Sequence, residues 1–94
     1  MQADLYDMKV ARGTDEYLAR FVGWESRAGG REQVALFALR EGQGEQLRRL
    51  VFPSTGKIDD QRQLKTLFTL VFSARASGEE WTPTSEELEL VQQT

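Results

Sequence analysis

The chain contains no cysteine and no histidine. Without cysteine there is neither a disulfide framework nor a thiolate nucleophile, and a cytoplasmic setting is expected. Without histidine, the usual general base near neutral pH and the usual zinc ligand are both missing. Long apolar runs are missing too. The longest, Val34 to Leu39, is far short of a membrane span, so no membrane association is expected. The first residues, MQADLYDMK, lack the basic start and apolar stretch of a secretory signal. Basic residues are absent from residues 79–94, which carry Glu79, Glu80, Glu86, Glu87 and Glu89, a charge of −5. Residues 1–78 hold all 12 basic side chains against 10 acidic ones, +2, which leaves −3 for the whole chain. A mildly basic body with an acidic tail occurs in some single-strand-binding proteins; it is also what a solvated C-terminal helix looks like.

What is present suits one folded domain with a modest core: 94 residues, 39% hydrophobic and 29% charged. The chain is organised around residues 59–76. There Leu64, Leu67, Phe68, Val71, Phe72 and Ala74 recur at helical spacing, with Leu70 at the edge of their arc. Arg62, Lys65, Thr66, Thr69 and Ser73 form the opposite strip. Asp60 with Gln63 reads as a capping box, and Ser77-Gly78 as the stop, with Gly78 free to take a left-handed cap.

Four strands are predicted upstream, at about 5–12, 17–25, 33–40 and 46–52. Residues 5–12 alternate, with Tyr6, Met8 and Val10 on one face. Tyr17, Ala19 and Phe21 share a face of the second strand, and Leu18, Val22 and Trp24 the other, interrupted by Arg20. Gln33–Arg40 has helix formers, but its short length and flanking glycines favour a strand buried on both faces. Turn residues at 13–16, 26–31 and 42–44 separate the strands, and Pro53 ends the fourth. Thr84 with Glu87 forms another capping box, opening a short helix to about Gln92. The expected fold is α+β: a four-stranded antiparallel meander packed on one long helix, then a short C-terminal helix, ββββαα. Residues 1–78 form the compact ββββα domain, and 79–94 an acidic segment with a short docked helix. The expected core includes Leu36, Leu50, Leu64, Leu67, Phe68 and Val71.

The long helix's apolar arc covers roughly 200° at 100° per residue, and the central strands are apolar on both faces. That surplus points to a homodimer through the second sheet face or the far side of the helix, unless the short helix and a curved sheet cover it.

For chemistry only carboxylates remain. Asp59-Asp60 read as a cap, and Glu79-Glu80 as partners for Arg75, which falls within the apolar arc. Ser54-Thr55-Gly56-Lys57 lacks the upstream glycine of a phosphate loop and has Ile58 where the magnesium-holding hydroxyl would stand. Gly42-Gln43-Gly44 is explained by a hairpin turn. No metal site, cofactor or catalytic group is expected, and the chain reads as no enzyme. The expectation is a small non-enzymatic protein acting on a protein partner, the sort of regulator, adaptor or inhibitor common in bacterial and phage genomes. Its acidic 79–89 segment suits a basic partner, with Trp24, Arg49 and Trp81 as contact residues. The alternative is a single-stranded nucleic-acid binder using Arg20, Trp24, Arg48 and Arg49, with Arg20 and Trp24 on one strand face and Arg27 and Arg31 in the adjoining loop. Glu25, Glu32, Glu41 and Glu45, interspersed among these groups, and a pI near 4.9 weigh against that alternative.

Overall fold

The computed structural model describes residues 5–75 and 77–93. In chain order the elements are β1 (Met8–Arg12), β2 (Asp15–Arg27), β3 (Glu32–Glu41), β4 (Gly44–Pro53), α1 (Gln61–Ala74), β5 (Glu80–Trp81) and α2 (Ser85–Gln92). The strands form one sheet in the order β1-β2-β3-β4-β5. The first four make the expected antiparallel meander. The sheet as a whole is mixed rather than purely antiparallel, because β5 adds to β4 in parallel, Arg49 opposite Glu80 and Leu50 opposite Trp81. Two residues of strand carry little sequence signal, and this one was not expected.

Two hairpins close through Gly13-Thr14 and Gly42-Gln43, where each glycine stands at φ 62. Residues 33–40 are strand, as expected, with Val34, Ala35, Phe37, Ala38 and Leu39 all buried. A strand between two neighbours, with apolar side chains on both faces, has nowhere wet to point.

The second strand departs from simple alternation. Phe21 pairs with Phe37, but the next pair is Gly23 with Leu36, so Val22 is a bulge without a cross-strand partner. One extra residue reverses every side chain beyond it. Trp24 therefore joins Ala19 and Phe21 on the side facing α1, where its ring lies 5.8 Å from that of Phe52. The expected grouping of Leu18, Val22 and Trp24 on one face fails for this reason, and so does a shared face for Arg20 and Trp24.

The core lies between this face and α1. Val10, Ala19, Ala35, Phe37, Leu39, Leu50 and Phe52 meet Leu64, Leu67, Phe68, Val71 and Phe72. The rings of Phe37 and Phe68 stack with centroids 4.1 Å apart. Leu36, expected in this core, is only half-buried and sits on the opposite sheet face, beside Arg49. Helix α1 starts where its cap predicts, with the Asp60 carboxylate accepting from the Gln63 N–H at 2.9 Å. It stops at Ala74, with Arg75 extended at φ −99. The predicted last residue, Ala76, lies outside the described residues. Gly78 does take a positive φ, 111°, but beyond the helix end rather than as its cap.

No described helix covers the other sheet face. Val34, Ala38 and Val51 are nevertheless buried there. The sheet curls enough for Arg27 on β2 to reach Glu80 on β5, at 2.9 and 3.1 Å, so the ion pair passes over β3 and β4. Arginine stems thus cover apolar surface that a second helix layer would otherwise hide. Among the described residues the exposed large hydrophobic side chains are Leu5, Val22, Leu47 and Leu90, divided among the N-terminal segment, the bulge, β4 and α2. No described helix is long and apolar enough to cross a membrane.

Candidate interaction surface

The C-terminal helix is held in place at its first turn. The Thr84 hydroxyl accepts from the Glu87 N–H at 3.1 Å, and the Glu87 carboxylate accepts from the Thr84 N–H at 2.9 Å, the predicted capping box. The same carboxylate takes two hydrogen bonds from the Arg75 guanidinium, at 2.8 and 3.0 Å. Burial pushes the Glu87 carboxyl up, but Arg75 and Thr84 outweigh it and hold it below the ordinary carboxylate range. This corrects the expectation that Glu79 and Glu80 pair with Arg75. Glu80 instead binds Arg27, whose hydrogen bond holds its carboxyl down, with Arg49 contributing. Trp81 is buried against Phe68 and Phe72, and its indole N–H donates to the Ser77 carbonyl at 3.1 Å.

Docked in this way, α2 brings Leu90 and Val91 beside Thr66, Thr69, Leu70 and Ser73 of α1 and leaves an open groove between the helices. Val91 and Leu88 pack on the core. Leu90, 57% exposed, turns out from it. The hydroxyls along the groove are already used: Thr66 donates to the Arg62 carbonyl, Thr69 to that of Lys65 and Ser73 to that of Leu70, all within 3.0 Å. Their methyl and methylene groups therefore present a nearly apolar wall. Glu86 is one helical turn before Leu90, and Glu89 is its neighbour. Among the described residues Glu79, Glu86 and Glu89 form no ion pair or side-chain hydrogen bond, unlike Glu80 and Glu87.

The contact residues suggested by sequence do not come together. Trp81 is in the core. Trp24 lies against Phe21 and Phe52, and the Lys57 ammonium sits 4.7 Å from its ring centroid. Arg49 is on the helix-free face, opposite Leu36 and Glu80. The basic set is divided as well. Arg20 and Arg49 lie on the helix-free face, whereas Trp24 and Arg48 lie on the face toward α1, since they pair with Ala35 and Phe37. Arg20 bonds Glu45, which also accepts from the Tyr6 hydroxyl, and Arg27 bonds Glu32 and Glu80. The Ser54–Lys57 segment is a turn, closed by the Gly56 N–H to the Pro53 carbonyl.

Leu90 was missed by sequence reasoning, although a signal existed. With Leu88 and Val91 facing inward at i and i+3, helical spacing leaves Leu90 roughly 100° from Val91 and 200° from Leu88. Among the described residues no group of three His, Cys, Asp or Glu is arranged to hold a metal ion. Compared with protein-family models, curated proteins and solved structures, the chain matches none.

Proposed function

We propose that this chain is a small non-enzymatic binding protein, acting in the cytoplasm on a protein partner through the groove between α1 and α2. The observation that carries this is Leu90, held out in water beside half-buried Leu70 on a wall of self-satisfied hydroxyls. The unpaired Glu86 and Glu89 alongside select a basic amphipathic helix, which lays apolar anchors into such a groove and turns its cations toward the acids. A non-catalytic role is supported by the lack of His and Cys and by the commitments of the carboxylates: Asp60 caps a helix, and Glu45, Glu80 and Glu87 are hydrogen-bonded to cations. Regulation, adaptation or inhibition of another protein fits a surface of this kind.

The test is an NMR titration with a synthetic helical peptide carrying leucines at i, i+3, i+4 and i+7 and lysines elsewhere. Shifts should concentrate on Thr66, Leu70, Ser73 and Leu90. Leu90→Asp should abolish them, and Glu86→Gln with Glu89→Gln should weaken binding several-fold. A peptide that leaves the spectrum unchanged, or whose shifts map to the sheet, overturns the reading.

A further inference from the structure

The edge of β4 offers a second surface, independent of the groove. The Arg49 N–H donates to the Glu79 carbonyl at 2.9 Å, away from β3. In an antiparallel ladder the main-chain groups of every second residue point the same way. The β3–β4 register runs without interruption from Glu41–Gly44 to Glu32–Pro53. The N–H and C=O groups of Glu45 and Leu47 therefore also turn away from β3. β5 pairs only with Arg49 and Leu50, so the edge from Gly44 to Arg48 is uncovered by any described strand. Glu45 and Leu47 are exposed, Leu47 by 40%. The Leu47 carbonyl takes one bond, from the guanidinium of neighbouring Arg48 at 2.9 Å, which a partner N–H can replace.

We infer that two copies of this chain associate through this edge, β4 against β4 and antiparallel, about a two-fold axis at Gln46. In that register Glu45 faces Leu47 of the partner subunit, and each pair exchanges both N–H···O=C bonds, four in all. Side chains agree with the pairing. Gly44 lies opposite Arg48 of the partner subunit and leaves room for it. Glu45 stands diagonally across from Arg49 of the partner subunit, within reach of long side chains. Among the described residues the Arg49 guanidinium makes no hydrogen bond and only lies near the Glu80 carboxylate. Glu45 already accepts from Arg20 and Tyr6, so the new pair would use the lone pairs that remain on its two oxygens. The slot is bounded by the Gly42-Gln43 turn at one end and by Glu79 at the other. A strand that itself ends in a tight turn fits it, and β4 of a second copy is such a strand.

Sedimentation equilibrium of the full chain tests this across roughly 20 µM to 2 mM, the range for an interface of small area. The mass should rise from monomer toward dimer. Leu47→Pro removes an N–H that the monomer does not use, so it should keep the circular dichroism and lose the dimer. Glu45→Arg and Arg49→Glu should each weaken association at least tenfold, and the double variant should recover it. If Leu47→Pro does not fold, the charge exchange decides. A monomer at every concentration overturns the inference, as does a dimer indifferent to these substitutions or a double variant no better than the singles.

Discussion

Arg75 and Glu87 do at one point what several apolar contacts would otherwise do. Their pair is mostly buried, with side-chain exposures of 28% and 12%, and both carboxylate oxygens are used. Glu87→Gln leaves the guanidinium without its counter-ion, while the amide oxygen can still accept from the Thr84 N–H and keep the cap on α2. It should cost about 1–3 kcal/mol in chemical denaturation, with Arg75→Met at the same locus not additive to it. Leu67 and Val71 are fully buried against the sheet, and either one replaced by Ala should cost about 2–4 kcal/mol. Ala28 behaves differently. It is the one non-glycine among the described residues with a positive φ, 54°, beside Gly29 and Gly30 in the β2–β3 loop. Ala28→Gly should relieve that strain and raise stability by up to about 1 kcal/mol, read as a higher Tm.

At the scale of elements, the link between α1 and β5 is as specific as the elements it joins. Gly78 stands at φ 111, and a Cβ there would lie 3.1 Å from the Trp81 indole nitrogen. Gly78→Ala should therefore strain the backbone and disturb the Trp81–Ser77 bond, at a cost of about 1–3 kcal/mol. A red shift in tryptophan emission on thermal melting should come earlier than in the unsubstituted chain. The Val22 bulge governs a larger region. Deleting Val22 removes the extra residue and leaves Phe21 opposite Phe37, Gly23 opposite Leu36 and Trp24 opposite Ala35 in an unbroken ladder, so Trp24 should stay on the core side. The expected outcome is a chain that still unfolds cooperatively by circular dichroism, with its midpoint shifted rather than its transition lost, since Val22 is exposed and no core side chain changes face.

For the whole molecule, residues 79–93 are part of the body rather than an appended tail. Trp81, Glu87 and Val91 are buried. Truncation at 78 would uncover Phe68 and Phe72, so any change in nucleic-acid binding after such a deletion would report unfolding as much as lost charge. Acid should loosen this region. Glu87 and Glu80 are both held below the ordinary value near 4.5, so each contributes stability above that pH and loses it as pH falls through the lower folded value. Unfolding below about pH 4.5 should be steeper for the unsubstituted chain than for Glu87→Gln, by far-UV circular dichroism against pH. The surplus of apolar surface implied by two-faced strands is mostly taken up by the curl of the sheet and by arginine stems. Four exposed large side chains remain among the described residues, too scattered to cover a sheet face with a second copy.

Local chemistry was enough to determine much of this protein from sequence. Periodicity located α1 and the first four strands, Asp60 and Thr84 set both helix starts, and glycines placed the turns, because each of these signals acts within a few residues of chain. The buried face of α1 could be read for the same reason. The other features depend on residues far apart in sequence. Val22 and Gly23 look like ordinary strand residues; only pairing with β3 makes a bulge and moves Trp24 to the core side. Arg75 looked suited to the nearest acids, but the extended turn carries Glu80 away to Arg27 and brings Glu87 back. Leu90 became an exposed wall, and β4 kept a free edge, because of where α2 and the two-residue β5 dock. Charge pairing and edge exposure are fixed by distances through space, which only the tertiary structure decides.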